Sequence, residues 1–145
     1  MNGQTPLVRG SRLGAMALAW LFAAGVVVQV FLAGLALFDT SLRWENHRDF
    51  GMMIGIVLLP LVLLVLIGRM PRQVIGMTVV LMVVYGVQIA LPGLDAAYIA
   101  AIHPLVGFVL LGLPVQLGAR IREVVMSDGR EPHASMRDER GAVTS

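Results

Sequence analysis

Apolar residues occur along this chain in long uninterrupted blocks. Four such blocks cover positions 14–38, 50–68, 73–91 and 96–117. None of them contains Asp, Glu, Lys or Arg. A helix of about 20 residues crosses the hydrocarbon layer of a bilayer, which is roughly 30 Å thick. We therefore expect an all-α fold, an integral membrane four-helix bundle over residues 14–118, preceded by a polar lead (1–13) and followed by a mostly disordered tail (119–145).

The composition supports a membrane protein over a soluble one. Hydrophobic residues make up 57% of the chain and charged residues 14%. The basic pI of 9.9 comes from arginines beside the apolar blocks, so we expect a lipid bilayer and no nucleic acid as partner. These arginines are Arg9, Arg12, Arg69, Arg72, Arg120 and Arg122. By the positive-inside rule both termini are cytoplasmic, and the arginine-, alanine- and glycine-rich composition favours a bacterial plasma membrane.

The two halves of the chain share an order of residues. Gln29, Gly34, His47 and Gly51 recur, with similar spacing, as Gln88, Gly93, His103 and Gly107. Such a recurrence predicts that the bundle is built from a duplicated two-helix hairpin. Because each hairpin crosses the membrane twice, its copies would be related by an axis along the membrane normal, with both histidines at the same depth.

Paired histidines in a helical bundle suggest a heme. His47 and His103 would ligate the iron from helices two and four. Gly51 and Gly107, each one turn further along, would leave room for the porphyrin face. Two further arginines, Arg43 and Arg48, could pair with the propionates. This hypothesis gives a small b-type heme protein for electron transfer or heme handling, with a redox or membrane-complex partner.

Other readings of the same residues remain open. The chain has no cysteine, and Glu45 and Asp49 are the carboxylates near His47, so a zinc site lacks ligands. The apolar blocks have no charged relay groups for a transporter, and no catalytic constellation indicates an enzyme. The main alternative is a cofactor-free structural or accessory membrane protein. In it the histidines would only tie helices two and four together, and the neutral imidazole of His103 could be satisfied by Gln29, Gln88 or a backbone carbonyl. A third histidine, His133, lies in the tail and is expected to be inert.

Two short motifs carry a resemblance to known families. Glu45-Asn46-His47-Arg48 at the start of helix two, with the histidine His103 at the outer end of helix four, resembles one four-helix half of heme A synthase, which implies that both histidines ligate heme. This chain has one such half, lacks the cysteine pair, and has Glu45 one position closer to its histidine than the family's catalytic glutamate. The glycine four residues after His47, and His103-Pro104 at the start of helix four, resemble small bacterial four-helix membrane proteins of unknown function over nearly the whole chain.

The arginine distribution makes a prediction about topology. Reporter fusions after Arg72 and after Arg122 should give a cytoplasmic signal, and a fusion after Asp95 should give a signal from the outer side. The positively charged segments resist translocation, which is the physical reason for this orientation. An outer signal from the C-terminal fusion would reverse the orientation.

Overall fold

The computed structural model describes residues 5–94 and 96–128, which are helical nearly throughout and contain no strand. The α-helices are α1 (Pro6–Phe38), α2 (Trp44–Gly55), α3 (Leu58–Ile67), α4 (Arg72–Ala90), α5 (Ala97–Ala100) and α6 (His103–Asp128). Short 3₁₀ turns, Ser41–Arg43 and Leu91–Gly93, lie before α2 and after α4. Four helical segments are long and apolar enough to cross a membrane. The expected all-α, four-helix architecture of a multi-pass membrane protein is confirmed.

The first and last helices extend beyond the apolar blocks. The helix α1 begins at Pro6, inside the expected polar lead. Thr5 caps it by accepting a hydrogen bond from the Val8 amide at 3.4 Å. Proline suits the first helical position because the N–H that it lacks would have no partner within the helix there. At the other end α6 continues to Asp128. Most of the expected disordered tail, including His133, lies outside the described residues.

The second membrane segment is divided into α2 and α3 at Ile56 and Val57. Pro60 explains the position of this break. Proline has no N–H, so the Ile56 carbonyl loses its usual helical donor. The Leu59 amide donates to that carbonyl instead, at 3.3 Å. The helix therefore tightens for one turn before it continues as α3.

The helices form a ring in which α1 packs against α3 and α6, and α4 packs against α3 and α6. The α2–α3 segment and α6 therefore lie diagonally across the bundle. The fully buried side chains of the core include Phe22, Leu58, Leu61, Leu81 and Leu117. Many other large apolar side chains point outward, as a lipid environment requires.

Alanines on α1 face the core and allow this close packing. Ala15 and Ala19 are fully buried there. Small residues let helix backbones approach one another, and this dispersion contact replaces the hydrophobic driving force that is missing in lipid. The tight α1–α6 and α1–α3 contacts follow from this.

A tight turn joins α3 to α4. Arg69 has a positive φ of 48°, and the Met70 amide donates back to the Val65 carbonyl at 3.2 Å. This is the Schellman pattern of helix termination, in which glycine more often occupies the left-handed position. Arg12 on α1 donates from Nε to the Gly68 carbonyl at 2.8 Å. The turn is therefore held against the beginning of α1.

The glycine pair Gly51 and Gly55 makes contacts inside the bundle. The Tyr85 hydroxyl on α4 donates to the Gly51 carbonyl at 3.0 Å. A Cβ on Gly55 would collide with the Tyr85 ring and hydroxyl. The ring also packs edge-on against Phe22, with centroids 6.0 Å apart. The space and the acceptor at these glycines are therefore used by Tyr85 of the same chain.

We expect Gly55→Ala to lower the free energy of unfolding by about 1–3 kcal/mol, because the added methyl group must displace the Tyr85 ring from a packed site. Gly86→Ala is the matched control, since a Cβ there meets nothing within 4 Å. That variant should be neutral or slightly more stable. Thermal unfolding of the purified protein in detergent measures both. Equal melting temperatures for the two variants would contradict the packing role of Gly55.

Candidate functional site

The rings of His47 and His103 lie side by side at one end of the bundle. Their centroids are 6.1 Å apart and their planes are inclined at 72°. This end, where α2 and α6 begin and α1 and α4 finish, is called the histidine end below. His103 is the first residue of α6, and His47 lies in the first turn of α2. Diagonal helices thus bring together two side chains that are distant in sequence.

Both histidines make the same hydrogen bond to the preceding helix of their own half. His47 Nδ1 is 3.1 Å from the Gln29 carbonyl oxygen. His103 Nδ1 is 3.0 Å from the Gln88 carbonyl oxygen. A carbonyl can only accept, so Nδ1 carries the proton in both rings. In the neutral imidazole Nε2 then keeps a lone pair.

Helix geometry explains why these two carbonyls can accept a further bond. Gln88 lies in the last turn of α4, where carbonyls lack a partner within the helix. Gln29 lies within α1, and its carbonyl has a second lone pair beside the one used by the helix. Each ring is therefore fixed in orientation by a rigid helix backbone.

The glutamine side chains fill the spaces that the glycines leave. A Cβ on Gly51 would lie 2.5 Å from Gln29 Nε2, and a Cβ on Gly107 would lie 3.4 Å from Gln88 Nε2. Gln88 Nε2 is also 3.2 Å from His103 Nε2, to which it donates. Amide groups therefore occupy the room beside both glycines.

Each glutamine keeps one unsatisfied atom. Among the described residues, Gln29 Oε1 and Gln88 Oε1 are buried without a hydrogen-bond partner. A buried acceptor without a donor costs about 1–3 kcal/mol. The cluster of two histidines and two glutamines is therefore incomplete in its hydrogen bonding.

The two arginines expected near the heme propionates make local ion pairs. Arg43 pairs with Asp39, one turn earlier in the chain. Arg48 Nε lies 3.3 Å from Asp49 Oδ1, and both side chains are largely exposed. Their described hydrogen bonds and ion pairs do not reach His47 or His103. Trp44, in contrast, packs its edge against His47 with centroids 5.6 Å apart.

The arrangement limits which metal chemistry the protein can support. Within residues 5–94 and 96–128, no group of three or more His, Cys, Asp or Glu side chains is placed to hold a metal ion. The two imidazoles therefore have no third His, Cys, Asp or Glu side chain beside them, among the described residues, that would complete a metal site made by the protein alone.

Sequence reasoning identified the histidines and glycines but gave no role to Tyr85. Its hydrogen bond to the Gly51 carbonyl ties α4 to the helix that carries His47. A single tyrosine within an apolar block was the available signal. The sequence also could not show which carbonyls accept from the two rings, because every residue carries the same backbone carbonyl acceptor.

Comparison with known proteins gives one match. A family of unknown function, DUF6220, matches residues 29–97, which include Gln29, His47 and Gln88. No curated protein and no solved structure matches this chain. The comparisons thus agree with the resemblance to a family of unknown function and give no support to the resemblance to heme A synthase.

The paired carbonyl bonds make a prediction about the imidazole tautomers. Nitrogen-15 NMR of histidine-labelled protein without added cofactor should show Nδ1–H tautomers for His47 and His103, because each Nδ1 donates to a carbonyl. His47→Asn and His103→Asn variants assign the signals. Nε2–H tautomers at either position would contradict the site geometry.

Proposed function

We propose that this protein binds one b-type heme between His47 and His103, for electron transfer or heme handling. The observation that carries the proposal is the matched pair of imidazoles. Both rings are oriented by Nδ1–H donation to a backbone carbonyl, and their centroids are 6.1 Å apart. Metal-binding histidines characteristically donate their second nitrogen to a carbonyl or carboxylate, which fixes the ring and raises its basicity.

The residues at the histidine end fit a heme if the two glutamine side chains rotate. Gly51 and Gly107 offer surface without a Cβ, and the atoms beside them are the far ends of flexible amides. Rotation of Gln88 would also release His103 Nε2 from its present hydrogen bond. The two buried Oε1 atoms have no partner to lose by this movement.

The roles of the chain's own residues follow from these positions. His47 and His103 would hold the iron, and the Gln29 and Gln88 carbonyls orient the two rings. A bound heme supplies a one-electron couple whose potential depends on its ligands and on the polarity around it. To pair with the propionates, Arg43 would have to break its ion pair with Asp39. Arg48 would likewise have to leave Asp49.

The same contacts support a duplicated hairpin and a common depth for the two halves. In each half a histidine bonds to the carbonyl of a glutamine, and that glutamine's amide lies beside the glycine one turn after the histidine. We propose that one two-helix hairpin was duplicated, and that both termini face the cytoplasm, with the histidine end on the outer side.

One observation favours a cofactor-free accessory protein as the second candidate. Gln88 Nε2 already donates to His103 Nε2 at 3.2 Å. In this alternative the histidines serve only as links between neighbouring helices. Such interhelical hydrogen bonds contribute about 0.6–2 kcal/mol each. The two candidates differ in whether the Nε2 lone pairs ever bind a metal.

Purification after expression with excess heme separates these candidates. The heme proposal predicts a Soret band with low-spin reduced bands, and loss of most absorbance in His47→Ala and His103→Ala. One remaining axial histidine cannot keep the iron six-coordinate. His133→Ala, in the tail, is the matched control and should keep the full spectrum.

Two further measurements separate a loss of heme binding from a loss of folding. His47→Gly and His103→Gly should regain a six-coordinate spectrum when imidazole is supplied, because free imidazole replaces the missing ligand. Circular dichroism and gel filtration establish that each variant is folded. A folded wild-type protein that stays colourless would overturn the heme proposal and leave the accessory role.

A further inference from the structure

The end of the bundle opposite the histidines carries most of the positive charge. This arginine end, where α1 and α4 begin and α3 and α6 finish, is defined by its arginines: Arg9, Arg12, Arg69, Arg72, Arg120 and Arg122. Among the described side chains on the same parts of the chain, Glu123 is the one carboxylate. The arginine end is thus strongly cationic.

Ion pairing differs sharply between the two ends. At the histidine end both arginines pair with carboxylates of their own segment, Arg43 with Asp39 and Arg48 with Asp49. At the arginine end Arg120 pairs with Glu123 at 3.0 Å. Four exposed arginines, Arg9, Arg69, Arg72 and Arg122, have no carboxylate partner among the described residues.

The fold places three of these groups at the same end of the bundle. Arg12 donates to the carbonyls of Gly68, at 2.8 Å, and Arg69, at 3.4 Å. This joins the first turns of α1 to the α3–α4 turn, so Arg9 on α1 lies at the same end as Arg69 and Arg72. The turn itself is fixed by the Met70 amide bond to Val65. The charges are therefore carried on a rigid surface.

We propose that the arginine end binds the headgroup phosphates of anionic phospholipids. This surface lies where membrane-spanning helices meet the headgroup layer. Guanidinium groups form bidentate hydrogen bonds with phosphate oxygens. Cationic groups at a membrane surface attract anionic lipids, with a contribution per arginine that corresponds to about a fivefold change in affinity. The histidine end, with its arginines already paired, would show no such preference.

The test uses the full chain in nanodiscs made from equal amounts of phosphatidylglycerol and phosphatidylcholine. Native mass spectrometry counts the lipids that stay bound to the protein when it is released from the nanodisc. The wild-type protein should retain phosphatidylglycerol preferentially. Arg9→Gln/Arg72→Gln should lower this preference by up to about fivefold per arginine. That double variant leaves the strained Arg69 position and the Arg12 contacts in place, so the fold is kept.

The matched control makes the same charge change at the other end. Arg43→Gln/Arg48→Gln should retain the wild-type preference for phosphatidylglycerol. Equal losses in both double variants would show a general effect of net charge and overturn the proposal, as would equal retention of the two lipids by the wild type. Complete displacement of phosphatidylglycerol by excess inorganic phosphate would assign the surface to a soluble anion. High salt should weaken the preference only in part, because contacts at short range are screened least.

Discussion

The hydrocarbon layer offers no water, so each polar group in it must find a partner within the protein. In this bundle most side-chain donors donate to a backbone carbonyl that has a spare lone pair. The donors are His47, Thr78, Tyr85 and His103, with Arg12 near the arginine end. Because helix carbonyls are fixed in position, these bonds also fix the rotamers of the donating side chains.

Glycines make this arrangement possible. Gly55 leaves room for the Tyr85 ring, and Gly51 for the Gln29 amide. Gly68 does the same for Arg12, whose Cγ would lie 3.2 Å from a Cβ at that position. In each of these three places a large polar side chain from one helix lies against the backbone of another, because the glycine there has no Cβ. At these three positions glycine therefore serves a polar contact as well as close helix packing.

The two ends of the molecule differ in how their charged and polar groups are paired. The histidine end pairs its own surface charges and contains a half-buried polar cluster whose two amide oxygens are unsatisfied. The arginine end leaves several guanidinium groups without carboxylates and has no comparable cluster among the described residues. The proposed heme would lie at the first end, and the proposed anionic lipids would contact the second. The closely packed apolar core lies between them.

The sequence by itself determined the four membrane segments, since block hydrophobicity depends only on local composition and length. It also picked out His47, His103, Gly51 and Gly107 through their recurrence. Only the tertiary structure decided that the Gln29 and Gln88 carbonyls hold the rings and that glutamine amides fill the glycine spaces. It likewise placed Tyr85 on the Gly51 carbonyl. These contacts join diagonal or neighbouring helices, and their geometry depends on helix rotation and crossing, which a pattern along one chain does not contain.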